Sequence, residues 1–196
     1  MVAHAIIFDL DGTLWDSASW FAPVLGGGDK KAIALERERL VAGGNIIGRL
    51  RELNISRTRL LSEAQRRSGA PRLFPGMRNA LESLRSRGTP IAVATSLPGS
   101  LALPMLQFCN LDAFFTIVVH AGVCRSPKPN PASILKALEL LRHKASHDIF
   151  YVGDRAIDAE AAERAGISAA WIRHGYECPP EGFSARYVTP AQLLVL

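Results

Sequence analysis

The sequence predicts an α/β fold: a parallel sheet covered by helices on both faces, with a small all-helical segment inserted after the first strand. Three observations carry this. Short apolar runs rich in Ile, Val and Ala alternate with helical stripes through the second half of the chain. Such alternation calls for parallel strands joined by helical crossovers. Apolar residues make up 48% of the 196 residues, enough for a real core at a length that suits one domain with an insertion. Between residues 15 and 73 no β-rich run occurs, and apolar positions recur at roughly helical spacing.

Residues 4–8 read as a short buried strand. Gly26-Gly27-Gly28 then precedes a polar, Arg-rich stretch over residues 29–72, with Pro71 at its end. Within it Ala32-Ile33, Leu35, Leu40, Ile46-Ile47, Leu50 and Leu53 follow a helical period. Leu60-Leu61 and Ala64 mark another helix, with Ser56 as its N-cap. After Phe74-Pro75-Gly76 the pattern changes. Met77, Ala80, Leu81 and Leu84 form a helical stripe stopped by Gly88, and residues 90–94 form a strand. A helix over Leu101 to Phe108 and a strand over Phe115 to Val119 come next. Ala132 to Leu141 is a helix opened by Pro131. Ile149–Val152 is a strand, Ile157 to Ala165 a helix ending at Gly166, and Ser168 to Ile172 a strand. Gln192-Leu193-Leu194 closes the chain with a short helix. The expected division is an α/β core of residues 1–14 and 74–196 and a helical segment of residues 15–73.

Net charge is +5, and all of the excess lies in one segment. Residues 15–73 hold eleven Lys/Arg against six Asp/Glu, while the rest holds twelve of each. That excess favours anionic partners there, although most of these residues read as solvated helix surface. Aromatics are only 7%, too few to stack bases, so no nucleic-acid partner is expected. Cys109, Cys124 and Cys178 are far apart and odd in number. They have neither zinc-ligand spacing nor a disulfide framework, and read as free thiols of a reducing compartment. No basic leader with an apolar run opens the sequence, and no apolar segment reaches membrane-spanning length. A cytoplasmic protein without a membrane partner, monomeric or homodimeric, is expected.

Ligands of such sheets bind outside the carboxyl ends of the strands, and the polar residues fall there. Asp9 and Asp11 follow the first strand, where alternation turns two carboxylates to one side. Such a pair can hold a hard divalent cation, attack an electrophile, or divide nucleophile and acid/base duties. Thr95 and Ser96 follow the strand at 91–94, and Gly153-Asp154 follows the strand at 149–152. Lys128, between Pro127 and Pro129, lies in the loop after the strand at 115–119. Singly, each has a bland reading. Thr95 is a common strand end and Lys128 a loop cation. Asp154 and Asp158 sit where the dipole of a helix N-terminus favours acids anyway. Together and in this order they suit phosphoryl transfer, where positioning and charge neutralisation supply most of the catalysis.

With these motifs the chain resembles the haloacid dehalogenase-like (HAD) hydrolase superfamily, in particular its phosphoglycolate-phosphatase-like members with a helical cap. The matching motifs are Asp9-Leu10-Asp11-Gly12-Thr13, the strand end at Thr95, Ser126-Pro127-Lys128-Pro129, and Gly153-Asp154 with Asp158. Phe74-Pro75-Gly76 is similar to the family's return from cap to core, and the tail from His174-Gly175-Tyr176 to Leu194 is similar to those phosphatases. The resemblance implies a Rossmann-like core and a Mg²⁺-dependent phosphatase acting on a small phosphorylated metabolite. It implies that Asp9 is the nucleophile and forms an aspartyl-phosphate. Asp11 would protonate the leaving oxygen and then activate water. Thr95 and Ser96 would bind phosphoryl oxygens, and Lys128 would neutralise charge on Asp9 and phosphate. Asp9, Asp154 and the backbone carbonyl of Asp11 would hold Mg²⁺, with Asp158 on the metal or its waters. An acid at position 11 sets a phosphatase apart from a dehalogenase, because an alkoxide leaving group wants a proton.

Some positions depart from the family pattern. Ser96 stands where Asn is frequent. Arg155 stands where Ser is common, and is expected to face solvent. Gly26-Gly27-Gly28 is read as an entry hinge or a simple flexible loop. Trp15 and Trp20 wall the cleft or pack cap on core, and packing is preferred for Trp20. Arg49, Arg51, Arg57 and Arg59 are candidates for gripping a second anionic group. The alternatives are a phosphomutase of the β-phosphoglucomutase type and a non-catalytic binding protein on the same fold.

Overall fold

A computed structural model describes residues 3–124, 126–178 and 186–196. Strand β1 (Ala5–Phe8) is buried along its whole length. Four helices follow before the chain returns to the sheet: α1 (Ser17–Leu25), α2 (Lys30–Val41), α3 (Ile46–Glu52) and α4 (Arg57–Ser68). Then come α5 (Met77–Ser86), β2 (Ile91–Ala94), α6 (Gly99–Phe108), β3 (Val118–Val119), α7 (Ala132–Leu141), β4 (Ile149–Gly153), α8 (Ala156–Arg164), β5 (Ser168–Ile172), β6 (Arg186–Val188) and a 3-10 helix, Pro190–Val195. The six strands form one sheet in the order β3-β2-β1-β4-β5-β6, and every pair is parallel. The α/β architecture is therefore the one expected.

Strand pleating divides the core. Ile6, Phe8, Val93, Phe150 and Val152 face one side with α5, α6 and Leu193. Ala5, Ile7, Ala92, Ala94 and Tyr151 face the other with α7 and α8. The helices α1–α4 share the first of these clusters, through Trp15, Trp20, Phe21, Leu40, Leu50 and Leu60. The connections into and out of these helices run side by side. Trp15 bridges Leu73 in antiparallel fashion, and Phe74 N–H donates to Leu14 O at 2.9 Å.

The N-caps follow local chemistry, since a short polar side chain satisfies a free helix N–H. Asp16 accepts from Ser19 N–H, Asp29 from Ala32 N–H, Asn45 from Gly48 N–H and Ser56 from Arg59 N–H. Several expectations shift. Helix α1 has no polar face to signal it, because Ser17, Ala18, Trp20, Phe21, Ala22, Val24 and Leu25 are all buried. The strand expected over Phe115–Val119 pairs only at Val118–Val119. Strand β6 went unread. Gly26-Gly27-Gly28 forms the α1–α2 turn rather than the entry to the helices. A Cβ at Gly26 would lie 2.6 Å from Ile33 N, so the turn needs glycine for close approach. Trp15 and Trp20 are buried and wall no open cleft. Trp20 packs on Phe21 and Phe108 and donates to Gly69 O at 2.8 Å. The similar tail runs through residues 179–185, which lie outside the described residues.

Candidate active site

Asp9, Asp11, Thr95, Lys128, Asp154 and Asp158 come from four separate stretches of chain, and the parallel sheet brings their strands' carboxyl ends to one edge. Asp9 extends β1 by one residue, its N–H donating to Val152 O at 2.9 Å. Lys128 sits at the centre of the charged groups. Its Nζ lies 2.8 Å from Asp9 Oδ1 and 2.5 Å from Asp158 Oδ1. It also donates to Tyr151 Oη at 3.0 Å, and Tyr151 in turn donates to Ala94 O at 2.6 Å. A buried ammonium so surrounded keeps its charge. Burial works against it, but Asp158 and Asp9 outweigh burial and hold its pKa well above the usual lysine value. Tyr151 is a site residue that sequence reasoning missed. It reads as one more apolar strand position.

Asp158 is fully engaged. Oδ1 takes Lys128, and Oδ2 accepts from Asp154 N–H at 3.2 Å and Arg155 N–H at 3.1 Å. The carboxylate thereby fixes the turn that carries Asp154. Asp154 is held from the far side, by Tyr176 N–H at 2.8 Å and Thr13 Oγ1 at 3.3 Å. Three glycines allow this closeness. A Cβ at Gly12 would lie 2.3 Å from Asp154 Oδ2, one at Gly153 2.5 Å from Asp158 Cβ, and one at Gly175 2.0 Å from Asp154 Cβ.

Asp9, Asp154 and Asp158 each offer a carboxylate oxygen within 4.8 Å of one another. Burial, joined by the charges of Asp158 and Asp9, pushes Asp154 up to about 8. Burial also pushes Asp9 up to about 6, against the pull of Lys128. Although charge-paired with Lys128, Asp9 Oδ1 receives no hydrogen bond of good direction. Clustered hard oxygens, one lacking a donor, and carboxylates that resist ionisation together fit a divalent cation.

Asp11 faces the helical segment. Ser17 Oγ donates to its Oδ1, and Tyr176 Oη lies 3.0 Å from the same oxygen. Burial raises its pKa, and these two hydroxyls pull it back. Thr95 is buried, its Oγ1 accepting from Leu97 N–H at 3.2 Å, whereas Ser96 is exposed. Both line a small cavity of about 40 Å³ with Ala121, Cys124, Ser126, Pro127 and Ser133.

Two expectations are overturned. Arg155 does not face solvent. Its guanidinium spans to α2, donating to Leu40 O at 3.3 Å and Val41 O at 2.6 Å, and to Glu177 Oε1 at 3.1 Å. The free C-terminal carbonyls of a helix attract such a cation. Arg49 is not free to grip an anion. It is ion-paired with buried Glu36 and, at 2.8 Å, with Glu52. Arg57 reaches Ser100 Oγ at 3.0 Å and has no carboxylate partner among the described residues.

The profile of the haloacid dehalogenase-like hydrolases matches residues 6–172. The phosphoglycolate phosphatase of Rhodobacter capsulatus is 30% identical, over 91% of this chain and 88% of its own length. That of Aquifex aeolicus is 30% identical, over 88% of this chain and 86% of its own. Among solved structures, one from Thermotoga maritima, provisionally assigned as a β-phosphoglucomutase, is 26% identical with a TM-score of 0.71, covering 97% of this chain and 96% of its own. A HAD-superfamily hydrolase of subfamily IA from Geobacter sulfurreducens has a TM-score of 0.69 at 21% identity, covering 100% and 99%, and shares the fold. Residues 6–172 take in all of Asp9, Asp11, Thr95, Lys128, Asp154 and Asp158, and the chain belongs to the haloacid dehalogenase-like hydrolase family.

Proposed function

We propose that this protein is a Mg²⁺-dependent phosphatase that hydrolyses a small organic phosphate monoester through an aspartyl-phosphate on Asp9. The observation that carries it is the buried set of Asp9, Asp154 and Asp158 around Lys128. Asp9 is the nucleophile. Its fixed N–H and the lysine contact aim one carboxylate at the sheet edge. Lys128 neutralises charge as the phosphoryl group passes to Asp9, which matters because two anions otherwise repel. Asp11 protonates the departing oxygen and later takes a proton from water. Thr95 and Ser96 donate to the phosphoryl oxygens. Asp9, Asp154 and the backbone carbonyl of Asp11 would hold Mg²⁺, which offsets charge on carboxylate and phosphate. Asp158 would stand on the metal or its waters, and it also holds Lys128 and the Asp154 turn.

Helices α1–α4, residues 15–73, form the cap, and Arg155 ties it to the core. The phosphatase names of the relatives favour phosphoglycolate as the first ester to test. The test is phosphate release from a panel of metabolites, with and without Mg²⁺, comparing wild type with Asp9→Asn. Turnover should need Mg²⁺ and fall more than a hundredfold in the variant. Full turnover by Asp9→Asn would sink the mechanism. The Thermotoga maritima structure makes a mutase the second reading. Hydrolysis of a simple ester with Mg²⁺ and no sugar phosphate or bisphosphate present decides against it.

A further inference from the structure

The hydroxyl of Tyr176 touches three groups that the reaction scheme above leaves unconnected. It lies 3.0 Å from Asp11 Oδ1, 3.0 Å from Asp16 Oδ1, and accepts from Ala18 N–H at 3.0 Å. Asp16 is itself the cap of α1, receiving Ser19 N–H at 3.0 Å and Ser19 Oγ at 2.6 Å, with Arg37 at 3.6 Å. The phenol is held from its own side as well. Tyr176 N–H bonds Asp154, and the ring lies under the Arg155 guanidinium, 5.6 Å from the ring centre. The residue is therefore fixed at its backbone, ring and hydroxyl.

We propose that Tyr176 is a positioning residue for Asp11, holding that carboxyl in place for delivery of a proton to the leaving oxygen. The proposal rests on the reading of Asp11 as the acid and adds a second residue to it. A phenol has one hydrogen and two lone pairs. Ala18 N–H occupies one lone pair, leaving one hydrogen and one lone pair for two carboxyl groups. Asp11 Oδ1 is taken by Ser17 Oγ–H and the phenol, which leaves Oδ2 to carry the proton for the leaving oxygen. With the phenolic hydrogen on Asp11 Oδ1, Asp16 keeps Ser19 and Arg37. The proton passes from Oδ2 to the leaving oxygen while the bonds at Oδ1 persist, so Asp11 is held at the same place before and after the transfer.

Leaving-group chemistry isolates this role. Departure of p-nitrophenolate needs no proton, whereas departure of an alkoxide does. The value of kcat/KM covers only steps up to the first irreversible one, here departure of the leaving group. Tyr176→Phe keeps the ring over which Arg155 lies. With 2-phosphoglycolate or β-glycerophosphate as the alkyl ester, its kcat/KM should fall about tenfold or more, a part of the 10²–10⁴ that general acids supply. With p-nitrophenyl phosphate the fall should stay below about threefold. Asp11→Asn should show the same split more strongly, and the double variant should lose little beyond Asp11→Asn. Equal falls on both esters mean a merely structural role and overturn the proposal, as does no change on either. A split in Asp11→Asn with none in Tyr176→Phe removes Tyr176 and leaves the phosphatase reading standing. Wild type inert on every ester removes both.

Discussion

Replacing Lys128 with methionine keeps the length of the side chain and removes its charge. In the folded protein Nζ has Asp9 Oδ1 at 2.8 Å, Asp158 Oδ1 at 2.5 Å and Tyr151 Oη at 3.0 Å, all buried. Removing one member of a buried ion pair costs about 3–5 kcal/mol, because the partner stays buried without compensation. The loss should depend on pH. Asp9 titrates near 6 in the folded protein and near the ordinary 3.8 when unfolded. The folded form therefore binds its proton more tightly. Its contribution to stability is full below about pH 4 and declines as pH rises through 6. At pH 8 Asp9 is charged and has lost its partner in Lys128→Met, and the loss should reach that ~3–5 kcal/mol. At pH 5 Asp9 is largely neutral in both proteins. The loss should then shrink by about 1–2 kcal/mol, the worth of roughly one unit of pKa. The assay is urea unfolding of metal-free wild type and variant at both pH values. A loss under about 1 kcal/mol at pH 8, or the same loss at both, would refute the electrostatic account of this centre.

Two further outcomes test the surroundings. Gly175→Ala places a methyl group where Asp154 Cβ already stands. Overpacking should cost about 1–3 kcal/mol, and calorimetric titration should find Mg²⁺ affinity at least tenfold weaker, whereas wild-type affinity would contradict the close-approach reading. Arg155→Ala removes charged hydrogen bonds to Leu40 O, Val41 O and Glu177, each class worth about 1.5–3 kcal/mol. Hydrogen exchange in residues 40–45 should quicken at least tenfold, and unchanged exchange would show that the contact does not secure α2.

The candidate site was legible because Asp9, Thr95 and Asp154 each follow a short apolar strand, and a parallel sheet has only one carboxyl edge. Asp9, Thr95 and Asp154 mark three strand ends, and their meeting needs no knowledge of side-chain packing. What the chain order hides is contact across long separations. Tyr176 meets Asp11 across a sequence separation of 165, and Arg155 meets Val41 across one of 114. Neither has a local pattern that names its partner. Arg155 was misread for that reason: an arginine at a helix start is usually solvated, and nothing nearby in sequence points to the end of α2. Helix α1 was missed because period is read from contrast between faces. With Pro23 inside it and nearly every side chain buried, it offers none. Arg49 was misassigned because Glu36, thirteen residues away, takes its charge.

The Arg155 tie has one more implication. It grips main-chain oxygens of Leu40 and Val41, and every amino acid supplies that atom. The Arg155 contact therefore makes no demand on the identity of the side chains at 40 and 41, which answer only to packing against the core cluster. The tolerance ends two residues on. Gly43 has φ +86, and a Cβ there would lie 2.8 Å from an Arg155 guanidinium nitrogen. Drift in this region is thus limited by apolar packing at the helix end and blocked outright at the turn that follows it.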